Sequence, residues 1–184
     1  MQKYSLANLN MVRIIAGSLK GRLLKSGKNP FLRPTKDRVK ETLFAKLGNI
    51  ENKRVIDIFA GTGNLGFEAL SRGAEHCIFV DDSKINTEII KSNALSLKVF
   101  DKVDIRRGDA IRFFKNKVNV DIVLADPPYK YSKFNELFNE FERLQEGTLI
   151  VLEASRNFIP PVNFKERYVS YKVMGETSLN YFRV

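Results

Sequence analysis

Apolar residues along the chain form two patterns: short continuous runs, and segments in which they recur every three or four positions. Short runs are typical of strands buried on both faces, and the second pattern is typical of helices that bury one side. From residue 54 onward the two patterns alternate. The predicted strands are 54–59, 76–81, 103–107, 120–126 and 148–153, and the predicted helices are 64–72, 83–97, 110–114 and 134–144.

The two ends of the chain predict hairpins instead. A turn at Gly17-Ser18 separates short strands at 12–16 and 22–25, and a helix then ends at Leu47, before Gly48. Near the other end, Gly175-Glu176-Thr177 separates strands at 168–174 and 178–184. We therefore predict an α/β fold. It has a Rossmann-like, mainly parallel sheet covered on both faces, an antiparallel C-terminal hairpin, and a small basic N-terminal β-hairpin and helix.

Positive charge is concentrated near the start of the chain. The 184 residues carry 31 Lys and Arg against 21 Asp and Glu, a formal net charge of +10. Residues 1–50 hold eleven of the basic and two of the acidic residues, and residues 51–184 hold twenty and nineteen. A nearly neutral body with a basic front end favours an anionic partner, above all a nucleic acid. We predict a flexible lead at 1–10, a basic binding appendage at 11–50 and a catalytic domain at 51–184.

Composition also excludes several classes of protein. One cysteine and one histidine exclude a disulfide framework and a Cys/His zinc site, so we expect no metal. No apolar run approaches the ~18 residues of a membrane span, and the first ten residues lack the apolar core of a signal peptide. We expect a cytoplasmic protein that does not bind membranes.

The first strand of the alternating segment leads into a glycine-rich loop, DIFAGTGNLG at 57–66. Gly61, Gly63 and Gly66 match the pattern by which strand–turn–helix units bring backbone close to a ligand. Asp57 in this strand would repel a dinucleotide's diphosphate, so it favours a ligand with a positive group, such as the amino group of a methionine-like moiety. A plain tight turn is the alternative.

Two later strands also end in acidic residues. Asp81 can accept hydrogen bonds from both hydroxyls of a ribose, with Asp82 as the second candidate. Asp109, in the sequence Gly108-Asp109-Ala110, can accept from the amino group of an adenine. Each has a structural alternative, because an acid is also favourable at the start of a helix and Asp109 can cap the helix that follows.

The fourth strand ends in the most specific motif of the chain, Asp126-Pro127-Pro128-Tyr129. Two prolines fix φ and stiffen the segment. The Asp126 carboxylate and the Pro127 carbonyl oxygen can then act as converging acceptors for the two hydrogens of an exocyclic NH2 group. The ring of Tyr129 can stack on the face of a planar base.

These segments together resemble class I S-adenosylmethionine-dependent methyltransferases that modify exocyclic amines. Further segments narrow the resemblance to the bacterial small-subunit (16S) ribosomal RNA guanine-N2 methyltransferases, and it covers about residues 11–184. Departures are mild: Tyr129 stands where the family more often has Phe, and Thr62 where it often has Ser. The further segments are MVRIIAG at 11–17, KGR at 20–22, RPT at 33–35, DRVKE at 37–41, EALSRGA at 68–74 and GETSLNYFRV at 175–184.

The resemblance implies methyl transfer from S-adenosylmethionine to the exocyclic N2 of a guanine. We expect a monomer, and the resemblance implies that the substrate is ribosomal RNA within an assembling small ribosomal subunit. It also implies roles for residues in four groups. Asp57, Ala60, Gly61 and Gly63 would line the methionine part of the cofactor; Asp81 would bind the ribose and Asp109 with Ala110 would flank the adenine; Asp126, Pro127 and Tyr129 would be catalytic and hold the guanine; Arg13, Arg22, Arg33 and Arg38 would contact RNA.

Other functions remain open on the sequence alone. The Asp-Pro-Pro-Tyr motif also fits a DNA adenine-N6 or cytosine-N4 methyltransferase or a protein glutamine methyltransferase, although no stretch of this chain is spare for a DNA-recognition domain. A nicotinamide dehydrogenase shares the glycine pattern, but Asp57 argues against it. A non-catalytic RNA-binding domain of the same fold is less consistent with the intact set of acids.

Overall fold

The computed structural model describes residues 11–26 and 34–184. Its elements follow the predicted order, with boundaries that differ by a few residues. Two 3₁₀ helices, at Phe100–Lys102 and Val162–Arg167, precede β5 and β8. The strands are β1 Met11–Arg13, β2 Leu23–Lys25, β3 Arg54–Ile58, β4 His76–Asp81, β5 Val103–Arg107, β6 Ile122–Ala125, β7 Leu149–Ser155, β8 Tyr168–Met174 and β9 Thr177–Arg183, and the helices are α1 Pro34–Leu47, α2 Asn64–Ser71, α3 Lys84–Leu97, α4 Ala110–Phe113 and α5 Phe134–Phe141.

The main sheet has seven strands in the order β5-β4-β3-β6-β7-β9-β8. The first five are parallel to one another, and β9 pairs antiparallel with both β7 and β8. This confirms the predicted α/β sheet with a closing antiparallel hairpin. The strand order reverses between β3 and β6, and open sheets of this kind bind ligands at such a switch point, beyond the carboxyl ends of the strands.

Apolar side chains cover both faces of the sheet. One buried cluster joins the sheet to α1, α2, α3 and the β1–β2 hairpin, and the other joins it to α4 and α5. Neighbouring residues of β3 point to opposite faces, as a strand requires: Val55 belongs to the first cluster, and Ile56 and Ile58 belong to the second. Asp57 therefore faces the side of α2 and α3.

The β1–β2 hairpin is docked onto the body of the protein by main-chain contacts. Ser18 N–H donates to the carbonyl oxygen of Ser71 at 2.7 Å, and Leu19 N–H donates to Ser71 Oγ at 2.9 Å. A Cβ atom on Gly17 would lie 1.8 Å from the Ser71 carbonyl oxygen, so the approach requires glycine. The appendage at 11–50 shares its core with the domain at 51–184, and the boundary between them stays a sequence prediction.

The sequence also predicts Asn64 as the N-cap of the helix at 64–72, and one shared face for Ile85, Ile89 and Ile90, and the structure shows both predictions to be wrong. Gly63, not Asn64, is the N-cap of α2, and no side chain caps this helix. The Asn64 side chain accepts instead from Lys40 Nζ at 2.8 Å. Ile85 does not share a buried face with Ile90, because it lies in the first turn of α3, where its side chain is exposed. Among the helices of the described ranges, none is long and apolar enough to cross a bilayer.

Candidate active site

The glycine-rich loop connects β3 to α2, and the buried side chain of Asp57 supports it. Asp57 Oδ2 accepts from Gly66 N–H at 2.8 Å, inside the first turn of α2. A Cβ on Gly66 would lie 2.2 Å from the ring of Phe79, so only glycine lets the helix approach β4 this closely. Phe59, which leads into the loop, has φ of 60°, a left-handed conformation that is rare for a bulky residue and is often found at functional sites.

Asp57 is a fully buried carboxyl in an acidic environment. Burial raises its pKa well above the usual value, and the charges of Asp126 and Asp81 raise it further, while the hydrogen bond from Gly66 lowers it. Its side chain is thus engaged with the loop that it supports. The predicted contact of Asp57, Ala60, Gly61 and Gly63 with the methionine part of a cofactor stays a prediction.

Asp81 ties three strand ends together. Its Oδ2 accepts from Gly61 N–H at 2.7 Å, and its Oδ1 accepts from Ser83 N–H and from Asn86 Nδ2 at 3.0 Å each. Its backbone oxygen accepts from Gly108 N–H at 3.0 Å, just after β5. Asp81 therefore accepts hydrogen bonds at the start of α3, as the structural alternative for this residue predicts. Its contact with a ribose stays a prediction. Asp82 is exposed beside it.

Asp109 caps α4. Its Oδ1 accepts from Arg112 N–H at 2.9 Å, which is the usual bond of an N-cap residue. The residue is exposed at the carboxyl end of β5, and Ala110 next to it is buried. The capping alternative is confirmed. An additional contact of Asp109 and Ala110 with an adenine stays a prediction.

The Asp-Pro-Pro-Tyr segment lies directly after β6, at the switch point. Asp126 and Pro127 are half-buried, and Tyr131 N–H donates to the Pro128 carbonyl oxygen at 2.8 Å, which closes a turn. The side chain of Tyr129 is 87% exposed, so its ring is accessible to an incoming planar group. The motif thus holds a carboxylate at the edge of the site and an aromatic ring outside it.

A row of aromatic rings beside this turn was not predicted. Tyr131 packs edge-on against Phe59 at 4.9 Å and against Phe134 at 5.1 Å between ring centroids. Burial raises the pKa of Tyr131 to about 12, and the charges of Asp109 and Glu136 add to this. The row joins the strained residue of the glycine loop to the turn after Tyr129. Its only signal in the sequence is the spacing of aromatic residues at 129, 131 and 134.

Carboxylates from three adjacent strand ends lie at this end of the sheet. Asp57 and Asp81 belong to β3 and β4, and Asp126 follows β6. Burial is the main cause of the raised pKa of Asp57, and repulsion by the other two carboxylates adds to it. A cationic ligand would relieve that repulsion. A Cβ on Gly61 would meet no atom within 4 Å, so the loop backbone is open on the side where a ligand would lie. The residues present fit a methyl donor that carries sulfonium and ammonium charges.

The predicted RNA-contacting arginines lie on the appendage. Arg13, Arg22 and Arg38 are exposed, and Arg22 Nη2 donates to the Ser96 carbonyl oxygen at 2.9 Å. Arg33 lies outside the described residues. Their contact with RNA stays a prediction.

One basic residue counted in the charge of the appendage is not available to a partner. Lys40 on α1 is buried, and its Nζ lies 3.3 Å from Glu68 Oε2 and donates to the Arg13 carbonyl oxygen at 2.8 Å. Glu68 also accepts from Ile15 N–H at 2.9 Å and forms an ion pair with Arg72. This buried cluster joins the appendage to α2, directly behind the glycine-rich loop.

Comparison with known proteins gives consistent matches over nearly the whole chain. The family model described as "Conserved hypothetical protein 95" matches residues 12–183. "Ribosomal RNA small subunit methyltransferase D" of Haemophilus influenzae is 36% identical over 178 residues, which is 88% of this chain and 92% of that protein. The protein of the same name from Escherichia coli is 33% identical over 190 residues, 100% of this chain and 95% of that one. A solved structure, "Putative methyltransferase yhhF from Escherichia coli", superposes with a TM-score of 0.82 at 32% identity and covers 95% of this chain and 98% of that one.

Proposed function

Because the chain belongs to the family of ribosomal RNA small subunit methyltransferase D and has S-adenosylmethionine as its cofactor, we propose that it methylates the exocyclic N2 of a guanine in small-subunit ribosomal RNA. The observation that carries this proposal is the Asp-Pro-Pro-Tyr turn. It places a half-buried carboxylate and an 87% exposed tyrosine ring beside a cluster of acids.

The cofactor side of the site is formed by the glycine-rich loop and the acids behind it. S-adenosylmethionine supplies an electrophilic methyl group on a positively charged sulfur. Gly61 leaves its backbone accessible to the methionine part. The negative charges of Asp81 and Asp126 favour the positive charges of the cofactor. Asp109 would complete the site on the adenine side, because it follows β5 and is exposed.

The base side is formed by the turn after β6. The N2 lone pair of guanine is delocalised into the ring, so this nitrogen is a poor nucleophile. Acceptance of its two hydrogens by the Asp126 carboxylate and the Pro127 carbonyl oxygen would favour a pyramidal nitrogen and localise the lone pair. Tyr129 would stack on the ring and fix its plane, a contact worth about 1–3 kcal/mol.

Positioning is the main contribution of these residues to the rate. Methyl transfer disperses the charge of the reacting sulfur, so the site has little new charge to stabilise, whereas good alignment of two reactants supplies roughly 7–11 kcal/mol. The proton lost from N2 after transfer would go to Asp126, the nearest base in the motif. The two rigid prolines hold that carboxylate in place.

The test is methyl transfer by an Asp126→Ala variant. Small ribosomal subunits lacking the modification are incubated with labelled S-adenosylmethionine, and the labelled nucleotide is mapped. We expect label on guanine N2 with the unsubstituted protein, and a rate at least about 100-fold lower with Asp126→Ala, because it loses both an acceptor and a base. Cofactor affinity, measured by calorimetry, should fall by a much smaller factor, about tenfold or about 1.4 kcal/mol at most, because Asp126 is only one of the acids near the charges of the cofactor.

The control is Asp101→Ala, which removes an exposed carboxylate from the 3₁₀ helix before β5 and should leave the rate unchanged. Near-normal transfer by Asp126→Ala would contradict the mechanism. Label recovered in DNA, in protein or on adenine would contradict the proposed substrate and favour one of the other methyltransferase classes.

A further inference from the structure

Large apolar side chains are unusually exposed at one edge of the candidate site. Among the described residues, the three most exposed large hydrophobic side chains are Tyr129 at 87%, Val162 at 81% and Ile159 at 77%. Single exposed apolar residues are common and need no explanation. These three, however, all follow the carboxyl ends of two neighbouring parallel strands, β6 and β7.

Tyr129 and Ile159 lie at the same distance along the chain from the ends of their strands. Tyr129 lies four residues past the end of β6 at Ala125, and Ile159 lies four residues past the end of β7 at Ser155. The two strands are paired in parallel, with Ala125 opposite Leu152. β7 therefore extends three residues beyond β6, and both loops leave the sheet at its carboxyl-terminal side, where each carries an apolar side chain into solvent.

Aromatic packing links the two loops through Phe134, the first residue of α5. The ring of Tyr131 lies 5.1 Å from that of Phe134, and the ring of Phe134 lies 5.0 Å from that of Phe158, the residue before Ile159. Phe158 also stacks on Phe138 at 6.2 Å. The loop after β7 is thus held against the turn that carries Tyr129.

The backbone on both sides of Ile159 is restrained. Phe158 N–H donates to the Ser155 carbonyl oxygen at 2.9 Å, and Arg156 N–H donates to the Glu176 carbonyl oxygen at 3.0 Å. Pro160 and Pro161 follow, and a residue before proline is restricted to extended backbone. Ile159 is therefore a rigidly presented apolar side chain that remains 77% exposed.

We propose that Ile159 is a wedge that enters the RNA stack at the place vacated by the target base. A base held by Asp126, Pro127 and Tyr129 must leave its stack, which costs a few kcal/mol, and apolar side chains inserted between bases offset this cost in other nucleic-acid-binding proteins. Ile159 would stand beside the site entrance and Tyr129 would receive the base. This inference rests on the proposed function and adds a residue for which the reaction itself has no other use.

The test compares Ile159→Ala with Ile159→Leu under single-turnover conditions, with saturating unmodified small ribosomal subunits and labelled S-adenosylmethionine. A wedge acts after binding, so Ile159→Ala should lower the rate constant for transfer about tenfold. The Kd for subunits, from filter binding, should change less than about threefold, a smaller factor than the change in rate. Ile159→Leu keeps an apolar side chain of similar volume and should restore the rate to within about twofold. The side chain is exposed, so the melting temperature should not move in either variant.

The matched control is Val169→Ala, an exposed β-branched residue at the start of β8. This strand begins opposite Phe182, which pairs with Ile150 near the start of β7, at the end of the sheet remote from the site. Its rate should equal that of the unsubstituted protein. The inference is overturned if Ile159→Ala reacts at the normal rate, if Ile159→Leu is impaired as strongly as Ile159→Ala, or if the whole loss lies in Kd. Absence of transfer by the unsubstituted protein would instead overturn the proposed function.

Discussion

At the scale of single residues, the side chains at the strand ends differ in the contacts that they already make within the protein. Asp81 accepts three hydrogen bonds from the loop and helix around it, and Asp57 is buried against the glycine-rich loop. Tyr129, by contrast, offers its ring to solvent. Asp57 and Asp81 thus support the loop that shapes the site, and in the proposed reaction the motif after β6 would meet the substrate.

Asp57 should make the stability of the protein depend on pH. Its pKa is raised in the folded state, whereas in the unfolded chain it titrates near ~3.9. Between these values the folded protein holds a proton that the unfolded chain has lost. The contribution of Asp57 to the free energy of unfolding is therefore complete below the pKa of the unfolded chain. As the pH rises from that value to the pKa of Asp57 in the folded protein, the free energy of unfolding falls. Asp57→Asn has no such proton and still offers a carbonyl oxygen to Gly66 N–H.

The free energies of unfolding of both proteins, measured in urea from about pH 4 to about pH 8, should diverge across this window. Their difference should shift in favour of Asp57→Asn by up to about 1.4 kcal/mol per pH unit. Asp101→Asn, which changes an exposed carboxyl, should run parallel to the unsubstituted protein. Parallel curves for Asp57→Asn as well would mean that Asp57 is ionised in the folded state throughout.

At the scale of elements, the appendage is joined to the body by a buried ion pair. Lys40 from α1 and Glu68 from α2 are both shielded from solvent, and burial lowers the pKa of Lys40 while Glu68 raises it. Glu68 also accepts from Ile15 N–H and Ala16 N–H after β1. Loss of Glu68 leaves the charge of Lys40 in the interior without its buried carboxylate partner, whereas Glu68 keeps its ion pair with Arg72 when Lys40 is lost.

Glu68→Gln should therefore destabilise the protein by about 3–5 kcal/mol, read from urea unfolding. Lys40→Met should destabilise the Glu68→Gln variant less than it destabilises the unsubstituted protein. In the variant, Lys40 has already lost its carboxylate partner, so its removal takes away an unpaired buried charge. The coupling between the two sites should be about 0.5–3 kcal/mol. Glu88→Gln on the exposed face of α3 should stay within about 0.5 kcal/mol of the unsubstituted protein. Additive effects of Lys40→Met and Glu68→Gln would show that the pair does not interact.

Local patterns in the sequence predict these elements well and their long-range contacts poorly. Strands such as β4 and β8 have the predicted boundaries because continuous apolar runs and turn residues are local signals. The burial of Lys40 and the bond between Asp81 and Gly61 depend on residues far apart in the chain, which no local pattern records. The residue type of Asn64 predicts a cap for α2, but a tertiary partner, Lys40, takes its side chain.

The same limit applies to the site. The Asp-Pro-Pro-Tyr motif and the glycine-rich loop are readable because each is a contiguous segment with unusual residues. The row formed by Phe59, Tyr131, Phe134 and Phe158 draws on three separate segments, and it appears only when the sheet brings the strand ends together. The exposed position of Ile159 beside this row is likewise visible only in the folded structure.

At the scale of the whole molecule, the positive charge is concentrated in one part of the chain. Residues 1–50 carry eleven basic and two acidic residues, and the rest is nearly neutral. Lys40 is buried against Glu68, so the charge available to a partner is smaller than this count and lies on exposed residues such as Arg13 and Arg38. Binding of RNA through phosphates should therefore depend on the appendage, and binding of the cofactor on the strand ends.

Arg13→Gln combined with Arg38→Gln should weaken RNA binding and flatten its dependence on salt. Every phosphate that the variant no longer neutralises should reduce the slope of log K against log salt concentration by about 0.7–0.9, measured by filter binding over a series of salt concentrations. Cofactor affinity should stay unchanged, because both side chains are exposed on the appendage and the proposed cofactor site is at the strand ends. Lys165→Gln with Lys172→Gln removes two exposed charges near β8 and should leave the slope as it was. An equal reduction of the slope in both double variants would mean that RNA is attracted by net charge alone, with no interface on the appendage.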